Sequence, residues 1–184
     1  NSPKMRTLKL FSAVFLALLL FTSCEKEVES QIVFFSKDQL KKELAVNINN
    51  TEGSTVSINS NAIIDLNSSK VFKDNIDYLK NVEVESFNFK IKNFEINPCA
   101  KFSNIGIYVD EIKISGNDIS LDYISLFSSS FEFKINNQEI LSAISSKLLQ
   151  KKQIVVSYYS DAVSDDLFNF DLEFNLTTKG TFVD

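Results

Sequence analysis

The sequence predicts a mainly-β chain: an antiparallel two-sheet β-sandwich with two short amphipathic helices, at about residues 69–80 and 137–149. Three observations carry this. Apolar and polar residues alternate at a period of two along most of the chain after residue 40. Only two segments replace that period with apolar residues three and four apart. The 17 Phe, set against 4 Gly and 2 Pro in 184 residues, supply ring mass for a packed core.

In chain order, Ser36 and Gln39 have the spacing of a helix cap and predict a one-turn helix carrying Leu40 and Leu44. Leu44, Val46 and Ile48 begin the strand pattern, which an Asn/Gly turn at Asn50–Gly53 interrupts. Val56 with Ile58, then Ile64 with Leu66, continue it. From Ser69, a plausible cap, Phe72, Ile76 and Leu79 fall on one helical face. Val82 and Val84 are in one strand phase while Phe87, Phe89 and Ile91 are in the other, so a bulge is expected at Glu85-Ser86. Ile105, Ile107 and Val109 follow, then Ile112 and Ile114, a Gly116-Asn117 hairpin turn, and Ile119, Leu121 and Tyr123. After Phe131, Phe133 and Ile135, Asn136 and Glu139 resemble a capping box for a helix presenting Ile140, Leu141, Ile144 and Leu148. Ile154, Val156 and Tyr158 form the next stripe. The last is the clearest: Phe168, Phe170, Leu172, Phe174 and Leu176 alternate with Asn169, Asp171, Glu173 and Asn175. Eight to ten short strands with so few helices make a sandwich, and no repeat divides residues 32–184.

Composition removes several function classes. The chain has no His, so it holds no serine triad of the usual kind, no His-ligated zinc and no imidazole proton shuttle. Four scattered glycines leave no phosphate-cradling loop. No cofactor is expected.

The first thirty residues read as an address. Met5, the only methionine, precedes Arg6 and Lys9 and then an uncharged run from Leu10 to Ser23. Residues 1–4 read as upstream sequence or a cloning scar, and 5–23 as a signal peptide. Fourteen helical residues reach roughly 21 Å against a hydrocarbon core of roughly 30 Å, which favours a cleaved signal over a spanning helix. At its end stands Phe21-Thr22-Ser23-Cys24, and Glu25 to Gln31 form a polar tether.

Those four residues resemble the lipobox of bacterial lipoproteins, although Phe21 stands where leucine is most common. The resemblance implies cleavage before Cys24 and lipidation of its thiol, with residues 24–31 as lipidated cysteine and tether. Each buried methylene adds about 0.8 kcal/mol, so two or three acyl chains hold a protein essentially permanently. Composition and context resemble small lipoproteins of Bacteroidota, in which acidic residues after the cysteine resemble a surface-export signal. This implies an outer-membrane anchor, with the periplasmic leaflet and the cell surface both open. The element order resembles the uncharacterised single-domain β-sandwich lipoproteins of those bacteria. Through Asn97-Pro98 and the closing strands it also resembles the late-embryogenesis-abundant type-2 sandwich, which assigns no residue a role.

Processing would remove Lys4, Arg6 and Lys9, leaving 16 basic and 24 acidic residues, a net of −8. Such a surface repels phosphate backbones, so nucleic acid is not an expected partner. Lys147, Lys151 and Lys152 read as compensation of a helix dipole. Cys99, with Cys24 lipidated, has no disulfide partner. Asp161, Asp165 and Asp166 crowd one predicted loop near Asp171 and offer oxygen ligands for a surface calcium ion, or simply a solvated tip. Glu83 and Glu85 share the wet face of a strand, and Ser128-Ser129-Ser130 reads as a polar turn. Tyr158-Tyr159 is either an exposed partner patch or one core ring beside one surface ring.

The expected function is that of a non-enzymatic, lipid-anchored envelope protein that binds or scaffolds an envelope protein or glycan. The alternative is a carrier holding a lipid or other apolar ligand between the sheets. No residue is expected to be catalytic, and the only modification site expected is Cys24.

Overall fold

A computed structural model describes residues 31–49, 51–93, 101–114 and 132–184. Its strands are β1 (Val33–Ile48), β2 (Val56–Asp65), β3 (Leu79–Lys92), β4 (Lys101–Val109), β5 (Ile112–Lys113), β6 (Glu132–Ile135), β7 (Gln153–Val163) and β8 (Phe168–Val183). Helix α1 (Lys70–Asp74) follows β2, and α2 (Gln138–Lys151) joins β6 to β7. The strands form two four-stranded sheets, β1-β8-β3-β6 and β2-β7-β4-β5, antiparallel throughout.

That order has a simple origin. Pairing β1 with β8, β2 with β7, β3 with β6 and β4 with β5 is what one long hairpin folded at its middle would give. Rolling the hairpin brings β8 beside β3 and β7 beside β4, and places successive pairs in opposite sheets. This is the jelly-roll form of the β-sandwich.

The core lies between the sheets and follows the alternation. In β8, Phe168, Phe170, Leu172, Phe174 and Leu176 are all buried, and the polar residues between them face the other way. Phe174 packs against Phe87 at 6.0 Å and Phe89 at 6.1 Å between ring centroids. Further along, Phe102 of β4 meets Phe168 at 5.6 Å, and Tyr158 of β7 stands edge-on to Phe170 at 5.5 Å. The Phe174 contacts knit β8 to β3 within the first sheet, and the Phe102–Phe168 and Tyr158–Phe170 contacts join the two inner faces. Aromatic pairs at such spacing add about 0.5–1.5 kcal/mol beyond their area.

The helices close openings in the roll. Ser69 caps α1, its hydroxyl accepting from the Phe72 N–H, and Phe72 is wholly buried against Phe182. Helix α2 buries Leu141, Ile144 and Leu148. Among the described residues β6 pairs only with Phe87–Lys90, and α2 packs against β3 beyond that stretch. There the Val84 N–H donates to Ser145 Oγ at 2.8 Å. The register of β3 on β8 shifts between Val84 and Ser86, the bulge that the phase change predicts.

Three local expectations need correction. The one-turn helix at Ser36–Gln39 is instead part of β1, because β8 offers a ladder partner to every residue from Val33 to Ile48. The helix expected over 69–80 stops at Asp74. The Asn75 side chain bonds back to the Val71 carbonyl at 2.8 Å, a 3₁₀ turn spans Ile76–Tyr78, and Leu79 already pairs with Phe182. The second helix is capped one residue later than expected, by Asn137, whose side chain accepts from the Glu139 and Ile140 N–H groups, and it runs on to Lys151. The Gly116-Asn117 turn and the stripe at Ile119, Leu121 and Tyr123 lie outside the described residues.

Candidate functional site

The two outer faces of the sandwich differ in chemistry. On the first sheet the exposed rows carry opposed charges. Lys37 pairs with Glu85, and Lys92 pairs with both Glu43 and Glu173. Ion pairs of this kind keep a face soluble and contribute little to stability.

On the second sheet, three successive rows across β2, β7 and β4 read Ser57–Asp161–Ser103, Asn59–Tyr159–Gly106 and Asn61–Ser157–Tyr108. Asp161 is the only charged residue among these nine positions. Two amides, three serine hydroxyls, two phenol rings and the bare Gly106 make up the rest.

A break in the β4 ladder builds this surface. The register of β4 on β7 shifts between Ser103 and Gly106, and within the shift Asn104 takes φ 52°. Asparagine tolerates that left-handed backbone better than other residues with a side chain, glycine excepted. The bulge aims the Asn104 amide at Asp161, donating to Oδ2 at 2.6 Å. From the other side Ser57 Oγ donates to Oδ1 at 2.8 Å. The Tyr159 hydroxyl lies 3.4 Å from both Ser57 Oγ and Asp161 Oδ1. The Asn104 amide first, then the Ser57 hydroxyl, hold the Asp161 carboxyl below the usual carboxylate range.

Gly106 is the second device. A Cβ there would meet Tyr108 Cε2 at 2.5 Å, so the Tyr108 ring lies over the bare backbone of Gly106. Tyr159 sits opposite Gly106 in the ladder. The two tyrosines thus share one face, Tyr108 with its ring over the glycine and Tyr159 with its hydroxyl turned towards Ser57 and Asp161. Tyr158 and Tyr159 resolve into one core ring, 1% exposed, and one surface ring, 37% exposed.

The aspartates expected together are spread out. Asp161 belongs to β7 rather than to a loop, Asp165 and Asp166 lie in the β7–β8 connection, and Asp171 on β8 accepts from the Asn93 amide at 2.5 Å. That connection is tied to the turn after β1: Thr51 N–H donates to the Ser164 carbonyl at 2.8 Å, and Ser164 N–H to Thr51 Oγ1 at 3.0 Å. Among the described residues no group of three or more His, Cys, Asp or Glu side chains could hold a metal ion. Glu83 and Glu85 are exposed on β3. Of the three lysines near the end of α2, Lys147 pairs with Glu111 at 2.6 Å and Lys151 with Asp110 at 3.3 Å, while Lys152 caps the helix with φ 61°. Cys24, Cys99 and Ser128-Ser129-Ser130 lie outside the described residues.

Sequence reasoning passed over Ser57, Asn104, Gly106 and Tyr108. One signal was available: Gly106, one of only four glycines, interrupts an alternating strand, and an isolated strand glycine marks a bulge or a close approach.

No protein-family model matches the chain, and no curated protein matches it. Among solved structures, the decameric BFDV capsid protein is similar with a TM-score of 0.46 and 11% identity, over 80% of this chain and 99% of that one. The structure titled Desmodium yellow mottle tymovirus has a TM-score of 0.36 at 11% identity, over 84% and 83%. Among the described residues no helix is long and apolar enough to cross a membrane.

Proposed function

We propose that this protein is a non-enzymatic, lipid-anchored module of the bacterial cell envelope that binds a partner on the outer face of its second sheet. The observation that carries the reading is the surface built by the β4 bulge. Asn104 in a left-handed backbone, Gly106 without a side chain, and Asp161 held by two donors are costly or specialised choices on a face that needs only solubility. The address rests on Phe21-Thr22-Ser23-Cys24 behind an apolar run. Ser57 beside Asp161 is not a hydrolytic pair, since a serine nucleophile of the triad kind needs an imidazole and the chain has no histidine. The carrier alternative draws less support: rings from both sheets meet between the inner faces, and the clefts at the β3–α2 junction, of about 300 and 210 Å³, are lined largely by polar residues.

Two measurements test this. Cys24→Ser should abolish palmitate labelling and release the protein from membranes, and persistent labelling would refute the address. A photo-crosslinker at Asn59→p-benzoylphenylalanine should trap an envelope component in cells, while the same probe at Asn47, on the outer face of the first sheet, should not. Equal trapping at both positions would refute the assignment of the face.

A further inference from the structure

We infer that the ligand of the tyrosine face is an uncharged glycan. The inference deepens the binding-module reading and rests on its choice of face. A pyranose ring presents a flat patch of C–H groups and a rim of hydroxyls, each both donor and acceptor. Tyr159 and Tyr108 present two rings from adjacent strands of one face, the Tyr108 ring over Gly106 and the Tyr159 ring with its hydroxyl turned towards Ser57 and Asp161. Tyrosine supplies flat apolar area with only two side-chain torsions to fix, so little entropy is lost on contact.

The polar groups suit the rim of such a ligand. The Asp161 carboxylate is an acceptor already oriented by Asn104 and Ser57, and its contact with the Tyr159 hydroxyl, at 3.4 Å, is long enough for a ligand hydroxyl to replace. Asn59 and Asn61, both exposed on β2, add amides that can donate and accept. Charge selects among partners. A polyanion would meet the Asp161 carboxylate among these nine positions and a cation only at their margin, where exposed Lys113 of β5 stands opposite Tyr108. A cationic partner would find a single carboxylate already held by two donors. A neutral polyol is the class whose surface matches amides, hydroxyls and ring faces without a counter-ion.

The test presents the full chain, in polyoxyethylene-ether micelles that carry no sugar, to immobilised glucan, xylan, mannan and galactan, with polygalacturonate as the acidic comparison. Retention on at least one neutral polysaccharide is expected, persisting as salt rises from about 0.1 M to about 1 M, where charge attraction is screened. Tyr159→Ala should weaken it about tenfold, the scale of one lost ring contact, and Tyr159→Phe should recover most of that loss. Glu83→Ala, on the outer face of the other sheet, should leave it unchanged. Retention on polygalacturonate alone, on nothing, or undiminished in Tyr159→Ala would overturn the inference. A protein crosslinked at position 59 without saccharide retention would sink the glycan and leave the binding module standing. Neither crosslink nor retention would remove both.

Discussion

The ring of Tyr108 occupies the space that a side chain on Gly106 would need: a Cβ there would lie 2.5 Å from Cε2 and 3.0 Å from the phenol oxygen. The face of the second sheet depends on this pairing, because it lays one ring over the backbone of Gly106, the residue opposite Tyr159 in the ladder.

Gly106→Ala should therefore separate binding from stability. Gly106 has no positive φ, and the ring it displaces is half-buried at the surface and free to swing outward. We expect a loss below about 1 kcal/mol, a shift of a few degrees in Tm at most. Saccharide retention should fall as far as in Tyr159→Ala. Circular dichroism melting beside the retention assay checks both halves.

Gly180→Ala should behave in the opposite way. A Cβ there would lie 2.7 Å from Phe182 Cε2 and Cζ and 2.8 Å from Phe72 Cε1. Both rings are fully buried, and Phe182 also stacks on Phe34 at 4.9 Å. Neither can swing away, so overpacking should cost about 1–3 kcal/mol. Urea unfolding should show a lowered midpoint with an unchanged slope.

Tyr158 gives a pH signature. Its hydroxyl and that of Ser160 are buried without a hydrogen-bond partner among the described residues, and burial pushes the phenol up to about 12. The native state then keeps a proton that the unfolded chain releases near pH 10. The contribution is complete below about pH 10 and is lost progressively as pH rises towards 12, by up to roughly 2–3 kcal/mol. Tyr158→Phe should be neutral or stabilising at pH 7 and should flatten the alkaline limb of a stability–pH curve.

Ser145→Ala tests the packing of α2 on β3. It leaves the Val84 N–H without its partner and should cost about 1–3 kcal/mol. Ser146→Ala, whose exposed hydroxyl bonds only within its helix, should cost little. Amide exchange at Val84 should rise in the first variant and not in the second.

Much of this architecture was legible because it is local. The period-two stripes of β8, the phase slip at Glu85-Ser86 and the apolar face of α2 are set by residues a few positions apart. Strand order was not, since nothing near β1 says that β8, more than a hundred residues on, will be its neighbour. The misread helix at Ser36–Gln39 has the same cause: a cap-like spacing favours a turn locally, and sixteen ladder pairings outweigh it. The site escaped for a related reason. Ser57, Asn104 and Asp161 are ordinary residues in three separate stripes, and only the ladder of β2, β7 and β4 brings them together.

The chain has five tyrosines and no tryptophan, so its ultraviolet emission comes from the rings at issue and a few others. The most direct test of the tyrosine face is the tyrosine fluorescence of the full chain titrated with the hexasaccharides of glucan, xylan, mannan and galactan. A saturable change with at least one of them, absent in both Tyr159→Ala and Gly106→Ala, is the expected result. A flat titration with all four, or a change that survives in both variants, would contradict it.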